Sequence, residues 1–310
     1  MIKEAQTYQE FKSLNNRDIL DFPLHVPMGI DMLDFLEDTF DKYYKLVVRI
    51  INNQDVENKD INIETIKELG KILINILKCF RNGNIADAYL EFEKKMAEFE
   101  KLLPIVNIKG EEFFRMRKEK NLERISQFYP LPPELRYLSG AMRFSIPGYT
   151  CFYIGHSKSV CKKEINNVGS IVKVKLKDDV TFKLLDLTFR EDMNNGGENE
   201  SHLIMLWPLI ASCYLDHFYC LLGKRVCKPR DIRFNENYVI PQLLTTYIRR
   251  KRKDIEGIRY YTVKDDSLEI FGKGENDMRN VVLYVDSSSD KSYDEFIDKF
   301  EWEKPLNVSE

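Results

Sequence analysis

The chain has 310 residues, of which 43% are apolar and 12% aromatic, so it can bury the core of one large or two modest globular domains. Its 47 lysines and arginines nearly balance 50 acidic residues, and the net charge of −3 excludes attraction to nucleic acid or to an anionic membrane through a strong overall field. The polar N-terminus has no apolar run of signal-peptide length, and the six cysteines form no C-x-x-C pair, so we expect a cytoplasmic protein with free thiols.

Apolar residues recur at helical spacing from Asp31 to Leu103, which predicts three amphipathic helices. The breaks between them fall at Asn52–Asp60, which is rich in Asn and Asp, and at Arg81–Asn84, where a glycine is a plausible cap. Pro104 ends the third helix because proline has no amide hydrogen. These residues predict an all-helical N-terminal domain over 1–105.

The pattern then changes to short apolar runs. Cys151–Gly155, Ile171–Leu176 and Val180–Phe189 predict strands of an antiparallel meander, and the polar Asn194–Ser201 predicts a mobile loop. Leu203–Leu222 has the length of a membrane span, but its proline, aspartate and histidine favour a buried helix.

Predicted helices and strands also alternate in the C-terminal third of the chain. Pro241–Lys253 predicts an amphipathic helix, and Ile258–Val263, Leu268–Phe271 and Val281–Asp286 predict strands. The fold class expected is therefore α+β, with a mixed or antiparallel sheet domain over 106–310 preceded by the helical bundle.

Two further clusters favour structural over functional interpretations. Cys213, His217, Cys220 and Cys227 suggest a zinc site, but the first three would crowd one helix, whereas zinc ligands usually lie in pairs on knuckles or turns. We therefore expect core thiols with one hydrogen-bonded histidine, and no metal. The basic run Arg249–Lys253 ends a predicted helix, where the helix dipole stabilises cations, and without interleaved aromatics it does not favour nucleic-acid binding.

The best candidate chemistry lies in Arg143, Tyr153 and Glu164, spaced on a turn, a strand and the following helix. Such elements can bring together a guanidinium for phosphate oxygens, an aromatic ring for a heterocycle and a carboxylate for a ribose or an oxocarbenium-like centre. On spacing alone the alternative is a structural ion pair between Arg143 and Glu164 with Tyr153 as a core residue.

These residues resemble the RES domain, a family of bacterial toxins named for Arg, Glu and Ser. Arg115 matches an early arginine after an aromatic, and Arg143 an arginine before a Pro-Gly turn. Tyr153 matches the tyrosine that ends an aromatic-rich strand, and Glu164 the glutamate of the next helix.

The resemblance continues toward the C-terminus. Tyr238–Ile248 is similar to the family's helix with a polar glutamine, here Gln242, and Asn280–Tyr284 to its closing strand. The segment around Tyr260 is similar to a Gly-Ile-x-Tyr-x-Ser strand, in which Thr262 replaces the serine. Threonine keeps the hydroxyl and adds a methyl group that stiffens χ1.

The resemblance implies a fold like that of ADP-ribosyltransferase toxins and an enzyme that destroys NAD⁺, in known members of the family by phosphorolysis. In that scheme Arg115 and Arg143 hold phosphates, Tyr153 packs on the nicotinamide end, and Glu164 stabilises the ribose as phosphate or water attacks. Gln242, Tyr260 and Thr262 are the further NAD-binding residues expected. No cofactor or metal is required, since NAD⁺ is a substrate.

Three alternatives stay open: an ADP-ribosyltransferase, an NAD glycohydrolase, and an inactive NAD-binding or interaction module. The N-terminal helices resemble the HEPN-like bundles that precede some RES domains, but residues 31–103 contain no histidine, which favours regulation or dimerisation over RNA cleavage. The candidate partners are NAD⁺, an antitoxin or regulatory protein, and a second copy of the chain; neither a membrane nor nucleic acid is expected.

Overall fold

The computed structural model describes residues 22–27, 29–53, 61–165, 167–188, 198–216, 220–221, 224–225, 235–264, 277–286 and 289–308. Contacts divide the chain into two compact units, one formed by Met1–Pro104 with Phe189–Tyr247 and the other by Ile105–Thr188 with Ile248–Glu310. The first break lies beside the boundary predicted from the sequence, whereas Phe189–Tyr247, assigned to the second domain by its sequence, groups with the first unit. The limits of the two folding domains stay a prediction.

Helices and strands both occur in the described residues. The helices are α1 (Met32–Asn53), α2 (Ile63–Arg81), α3 (Ile85–Glu98), α4 (Lys158–Ile165), α5 (Glu198–Cys213), α6 (Val239–Lys251) and α7 (Asp290–Ile297). The strands are β1 (Leu24–His25), β2 (Ile105–Lys109), β3 (Glu112–Arg117), β4 (Cys151–Gly155), β5 (Gly169–Leu176), β6 (Thr181–Asp186), β7 (Leu215–Asp216), β8 (Cys220–Leu221), β9 (Lys224–Arg225), β10 (Gly257–Tyr261), β11 (Arg279–Tyr284), β12 (Phe300–Trp302) and β13 (Leu306–Val308). The predicted α+β class is confirmed.

The first unit contains α1, α2 and α3, the three N-terminal helices expected from the apolar spacing. Asn62 caps α2, because its side-chain oxygen accepts hydrogen bonds from the backbone N–H groups of Glu64 and Thr65 at 3.1 and 3.4 Å. The buried face of α2 packs against α1, α3 and α5. The amphipathic pattern therefore buries one face of this helix, as predicted.

Pro208 lies inside α5 and leaves one carbonyl of that helix without its usual backbone donor. The carbonyl four residues earlier belongs to Ile204, and it accepts a hydrogen bond of 3.0 Å from the Tyr43 hydroxyl on α1. The Tyr43 ring also stacks on Trp207, with 4.0 Å between ring centroids. A neighbouring side chain thus satisfies the group that proline leaves free.

Two sequence expectations for this region are wrong at their limits. The helix predicted over Leu203–Leu222 ends at Cys213, because the chain then pairs through β7 in parallel with β1, a contact across nearly 200 residues that local periodicity does not encode. The loop predicted over Asn194–Ser201 includes residues 198–201, which form the first turn of α5. Residues 194–197 and the predicted strand Leu268–Phe271 lie outside the described residues.

The second unit is built on a sheet with the strand order β12-β5-β3-β4-β11-β10-β6-β2, and β13 also pairs with β5. Its described pairings are antiparallel except the parallel pairing of β10 with β6. The expected meander of β5 and β6 is therefore wrong. These strands follow each other in the chain, yet four strands separate them in the sheet, because distant segments pair between them.

One face of this sheet carries the apolar core of the second unit and is here called the core face. It includes Phe113, Phe152, Ile154 and Val281, and α7 adds Phe296 to the same cluster. Because side chains alternate along a strand, the residues between them in β4 and β11 lie on the other face, here called the site face.

Candidate active site

The site face brings together polar and aromatic residues from three adjacent strands. Gly155 of β4 lies opposite Asn280 of β11, which in turn lies opposite Tyr260 of β10. Opposed residues of antiparallel strands share a face, and Tyr153 lies two residues before Gly155, so it shares this face as well. The alternation of β4 therefore places Tyr153 on the opposite side from the core residue Phe152.

Gly155 allows α4 to pack directly on the end of β4. A Cβ at this position would lie 2.4 Å from Val160 Cγ1 and 2.8 Å from Cys161 Sγ, which is closer than such atoms approach. Ser157 fixes the beginning of the helix, since its Oγ accepts from the Val160 N–H at 3.1 Å and donates to the Asp277 carbonyl at 2.6 Å. Close packing on Gly155 and the hydrogen bonds of Ser157 thus fix the position of α4, the helix that carries Glu164, on the sheet.

Glu164 is the centre of a hydrogen-bonded cluster. Its Oε1 accepts from Thr262 Oγ1 at 2.7 Å and from Asn280 Nδ2 at 3.0 Å. Its Oε2 lies 3.4 Å from Lys264 Nζ, and Lys264 Nζ also donates to the Glu164 carbonyl. The Glu164 side chain is 31% exposed, so the carboxylate is anchored by its neighbours while part of the side chain stays accessible.

Tyr153 is tied through its hydroxyl to the turn that carries Arg143. The hydroxyl donates to Ser145 Oγ at 3.2 Å, and the backbone of Phe144 contributes a second hydrogen bond. Burial raises the pKa of Tyr153 well above its usual value, so the phenol stays protonated at physiological pH. The ring of Tyr153 is therefore a fixed, neutral wall of the site.

The turn of Arg143 also packs on Tyr260. The Phe144 and Tyr260 rings are 4.7 Å apart at their centroids, and Met142 and Ser145 form a β-bridge across the turn. Arg143 lies within this bridge and is only 8% exposed. The turn thus carries a buried guanidinium and is attached to the site face through Tyr153 and Tyr260.

Arg115 occupies a different place. It shares the core face with Phe113, its guanidinium donates to the Tyr153 carbonyl at 2.8 Å, and its Cζ lies 4.7 Å from the centroid of the Phe152 ring. Burial lowers the pKa of Arg115 to about 9, which still leaves a cation at neutral pH. Arg115 therefore lies on the opposite side of the sheet from Glu164, and we do not include it among the proposed phosphate ligands.

Gln242 belongs to α6 in the part assigned to the first unit, where its carbonyl accepts from Thr246 Oγ1 at 2.8 Å. Its contact with a substrate stays a prediction. Thr262, in contrast, is 1% exposed and its hydroxyl is engaged with Glu164.

Three residues around the cluster were not selected as site residues from the sequence: Ser145, Lys264 and Asn280. Asn280 carried part of a signal, because it is a polar residue at the start of an apolar strand, but its place on the face of Tyr153 follows only from the pairing of β11 with β4. Lys264 had none, since it belongs to a polar stretch in which any charge is normal. Within the described part of the chain, no group of His, Cys, Asp and Glu is arranged to hold a metal ion.

Comparisons with known proteins identify one distant relative by sequence. No family model matches the chain. It is 28% identical over 280 residues to a Bacillus subtilis (strain 168) protein named "Putative toxin YopC", an alignment that covers 80% of this chain and 59% of that protein. The chain thus spans about three fifths of the length of this relative.

Among solved structures, one similar chain comes from the M. tuberculosis MbcT-MbcA toxin-antitoxin complex. It has 10% sequence identity and a TM-score of 0.35, with 69% of this chain and 91% of that chain covered.

No helix in the described residues has the length and apolarity that a bilayer crossing requires.

Proposed function

We propose that the chain is an NAD⁺-consuming toxin of the RES type, which cleaves the bond between nicotinamide and ribose with inorganic phosphate as the attacking group. The observation that carries this proposal is the Glu164 carboxylate, which Thr262 and Asn280 hold at a partly exposed position over the face that bears Tyr153. The ordered resemblance of the sequence to RES domains and the similarity to a protein named as a toxin support it.

A fixed carboxylate suits this reaction because the leaving group is neutral. When the bond from C1″ of the ribose to nicotinamide breaks, its electron pair stays on the nicotinamide nitrogen, and positive charge develops on the sugar. No proton donor to the leaving group is needed. A carboxylate held beside C1″ stabilises the developing charge without reorganising during the reaction.

The remaining groups position the two reactants. In the proposal, Arg143 binds phosphate oxygens of NAD⁺ through its guanidinium, and the ring of Tyr153 packs on the nicotinamide end. A phosphate oxygen then bonds to C1″ as nicotinamide departs, which yields ADP-ribose-1″-phosphate. An antitoxin or other regulatory protein is the partner that this function implies.

The test is release of nicotinamide from NAD⁺ by the purified chain, measured with and without inorganic phosphate. We expect release that depends on phosphate and falls by about 100-fold or more in Glu164→Gln, which keeps the shape but removes the charge. The matched control is Glu303→Gln, because Glu303 is a 64% exposed carboxylate that pairs with Lys173 at 3.1 Å. This control should release nicotinamide at the unmodified rate.

Other outcomes separate the rival functions. Equal release with and without phosphate indicates an NAD glycohydrolase, and ADP-ribose attached to a protein or nucleic acid indicates a transferase. Binding of NAD⁺ with no release of nicotinamide under any condition contradicts the enzymatic proposal and leaves a binding module.

A further inference from the structure

Thr262 has a hydroxyl whose direction is set by its neighbours. Its Oγ1 accepts a hydrogen bond from the backbone N–H of Lys264 at 3.1 Å and lies 2.7 Å from Glu164 Oε1. A hydroxyl has one hydrogen, and an ionised carboxylate only accepts, so the hydrogen of Thr262 must point to Glu164. With 1% exposure, Thr262 has almost no surface left for a ligand.

Asn280 reaches the same carboxylate oxygen from the adjacent strand. Its Nδ2 donates to Glu164 Oε1 at 3.0 Å, and its backbone is fixed in β11 between Gly155 of β4 and Tyr260 of β10. Asn280 is 5% exposed. Hydrogen bonds to an ionised acceptor are stronger than those between neutral groups, so these two donors form a rigid attachment for Glu164.

Both donors are neutral and both bind Oε1. They therefore hold the carboxylate without neutralising its charge. Oε1 is thus the attachment point, whereas Oε2 is paired with Lys264 Nζ, 3.4 Å away, on a side chain that is itself 47% exposed.

We propose that Thr262 and Asn280 are positioning residues, which act on the reaction by orienting Glu164 and not by binding NAD⁺. This inference rests on the proposed function and replaces the direct substrate contact expected for Thr262 from its sequence. It also accounts for threonine at a serine position. The hydroxyl that Glu164 needs is common to both, and the methyl group restricts χ1 further.

The kinetic test uses Thr262→Val, which keeps the shape and removes the hydroxyl, and Asn280→Leu. For each variant we expect kcat for nicotinamide release to fall about 10- to 100-fold with KM nearly unchanged, because a misplaced carboxylate weakens the transition state alone. Thr262→Ser should recover most of the rate. The matched control is Thr188→Val, since Thr188 Oγ1 bonds a different carboxylate, that of Asp186, at 2.6 Å. A rise in KM with unchanged kcat in Thr262→Val overturns the inference.

A second measurement is independent of catalysis. Urea unfolding of Thr262→Val, Glu164→Leu and the double variant tests whether the two side chains stabilise the fold through each other. We expect the losses to be non-additive, because either change alone breaks the same bond. Additive losses overturn the inference even if the protein consumes NAD⁺. Non-additive losses in a protein that releases no nicotinamide support the attachment of Glu164 and reject the proposed function.

Discussion

In the proposed site, Tyr153 contributes its ring and not its hydroxyl. Its hydroxyl is engaged by Ser145 and by the backbone of Phe144, and burial raises the pKa of the phenol well above its usual value. The group available to a substrate is therefore the ring.

This assignment predicts a mild phenotype for Tyr153→Phe. The change removes the hydroxyl's two hydrogen bonds, each worth about 1 kcal/mol, and keeps the ring, so we expect a modest loss of stability and at most about a threefold loss of kcat. Ser145→Ala, which removes the partner in one of these bonds, should give a similar result. Thermal unfolding and nicotinamide release measure both. A loss of kcat of about 100-fold in Tyr153→Phe would show that the hydroxyl takes part in the reaction.

Asp277 gives a prediction on pH. Burial works to raise its pKa, but the hydrogen bonds of Arg279, together with the charges of His156 and Arg279, outweigh it and lower the pKa below the usual 3.8. As the pH falls, the Asp277 carboxyl takes up a proton in the unfolded chain before it does so in the folded protein. Its contribution to stability is therefore complete above about pH 3.8, the usual pKa, and is lost as the pH falls through the lower pKa of the folded state.

We therefore expect Asp277→Asn to be less stable than the unmodified chain at neutral pH, with the difference shrinking as the pH falls below the usual carboxyl range. Urea midpoints measured from about pH 6 to about pH 2 follow the difference. The opposite trend, a difference that grows on acidification, would contradict the assigned ion pair.

At the scale of elements, the junction of β4 with α4 connects the fold to the site. Gly155→Ala places a Cβ against Val160 and Cys161, and we expect a loss of about 1–3 kcal/mol in stability together with displacement of α4. Because α4 carries Glu164, nicotinamide release should fall as well. Adding Val160→Ala removes the closer contact and should restore part of both. No recovery in the double variant would mean that the glycine is required for another reason.

The elements that could be predicted from the sequence are those defined by local pattern. Strand β4 was predicted with its exact limits, since it is apolar, follows a Pro-Gly turn and ends at Gly155. The three N-terminal helices follow from their spacing and breaks. The end of α5 and the separation of β5 from β6 could not be predicted, because pairings between distant segments decide them.

The site shows the same limit. Spacing in the sequence was enough to propose that Tyr153 lies on a strand after a turn and Glu164 on the following helix. It was not enough to predict which face of β3 carries Arg115. Arg115 reads as a phosphate ligand in the sequence, yet the alternation of β3 directs it to the core face beside Phe152. The sequence places Asn280 at the start of a predicted strand but does not predict its hydrogen bond to Glu164.

At the scale of the whole molecule, the distant similarity to a protein named as a toxin covers 80% of the chain and so includes residues from both units. The proposed function predicts that expression in bacteria arrests growth and depletes NAD⁺, whereas Glu164→Gln, present at the same level, is tolerated. Colony counts and NAD⁺ content after induction measure this effect. Growth arrest of equal strength with the unmodified chain and with Glu164→Gln would show that toxicity does not depend on the Glu164 carboxylate.

If phosphate attacks NAD⁺ at a site organised by Glu164, the product must carry that phosphate, so the identity of the product is the decisive measurement. Purified protein is incubated with NAD⁺ and inorganic phosphate, and the products are analysed by mass spectrometry. We expect nicotinamide and ADP-ribose carrying one additional phosphate, in equal amounts, and at least about 100-fold less of both with Glu164→Gln. Intact NAD⁺, or nicotinamide accompanied by free ADP-ribose alone, would contradict the proposed reaction.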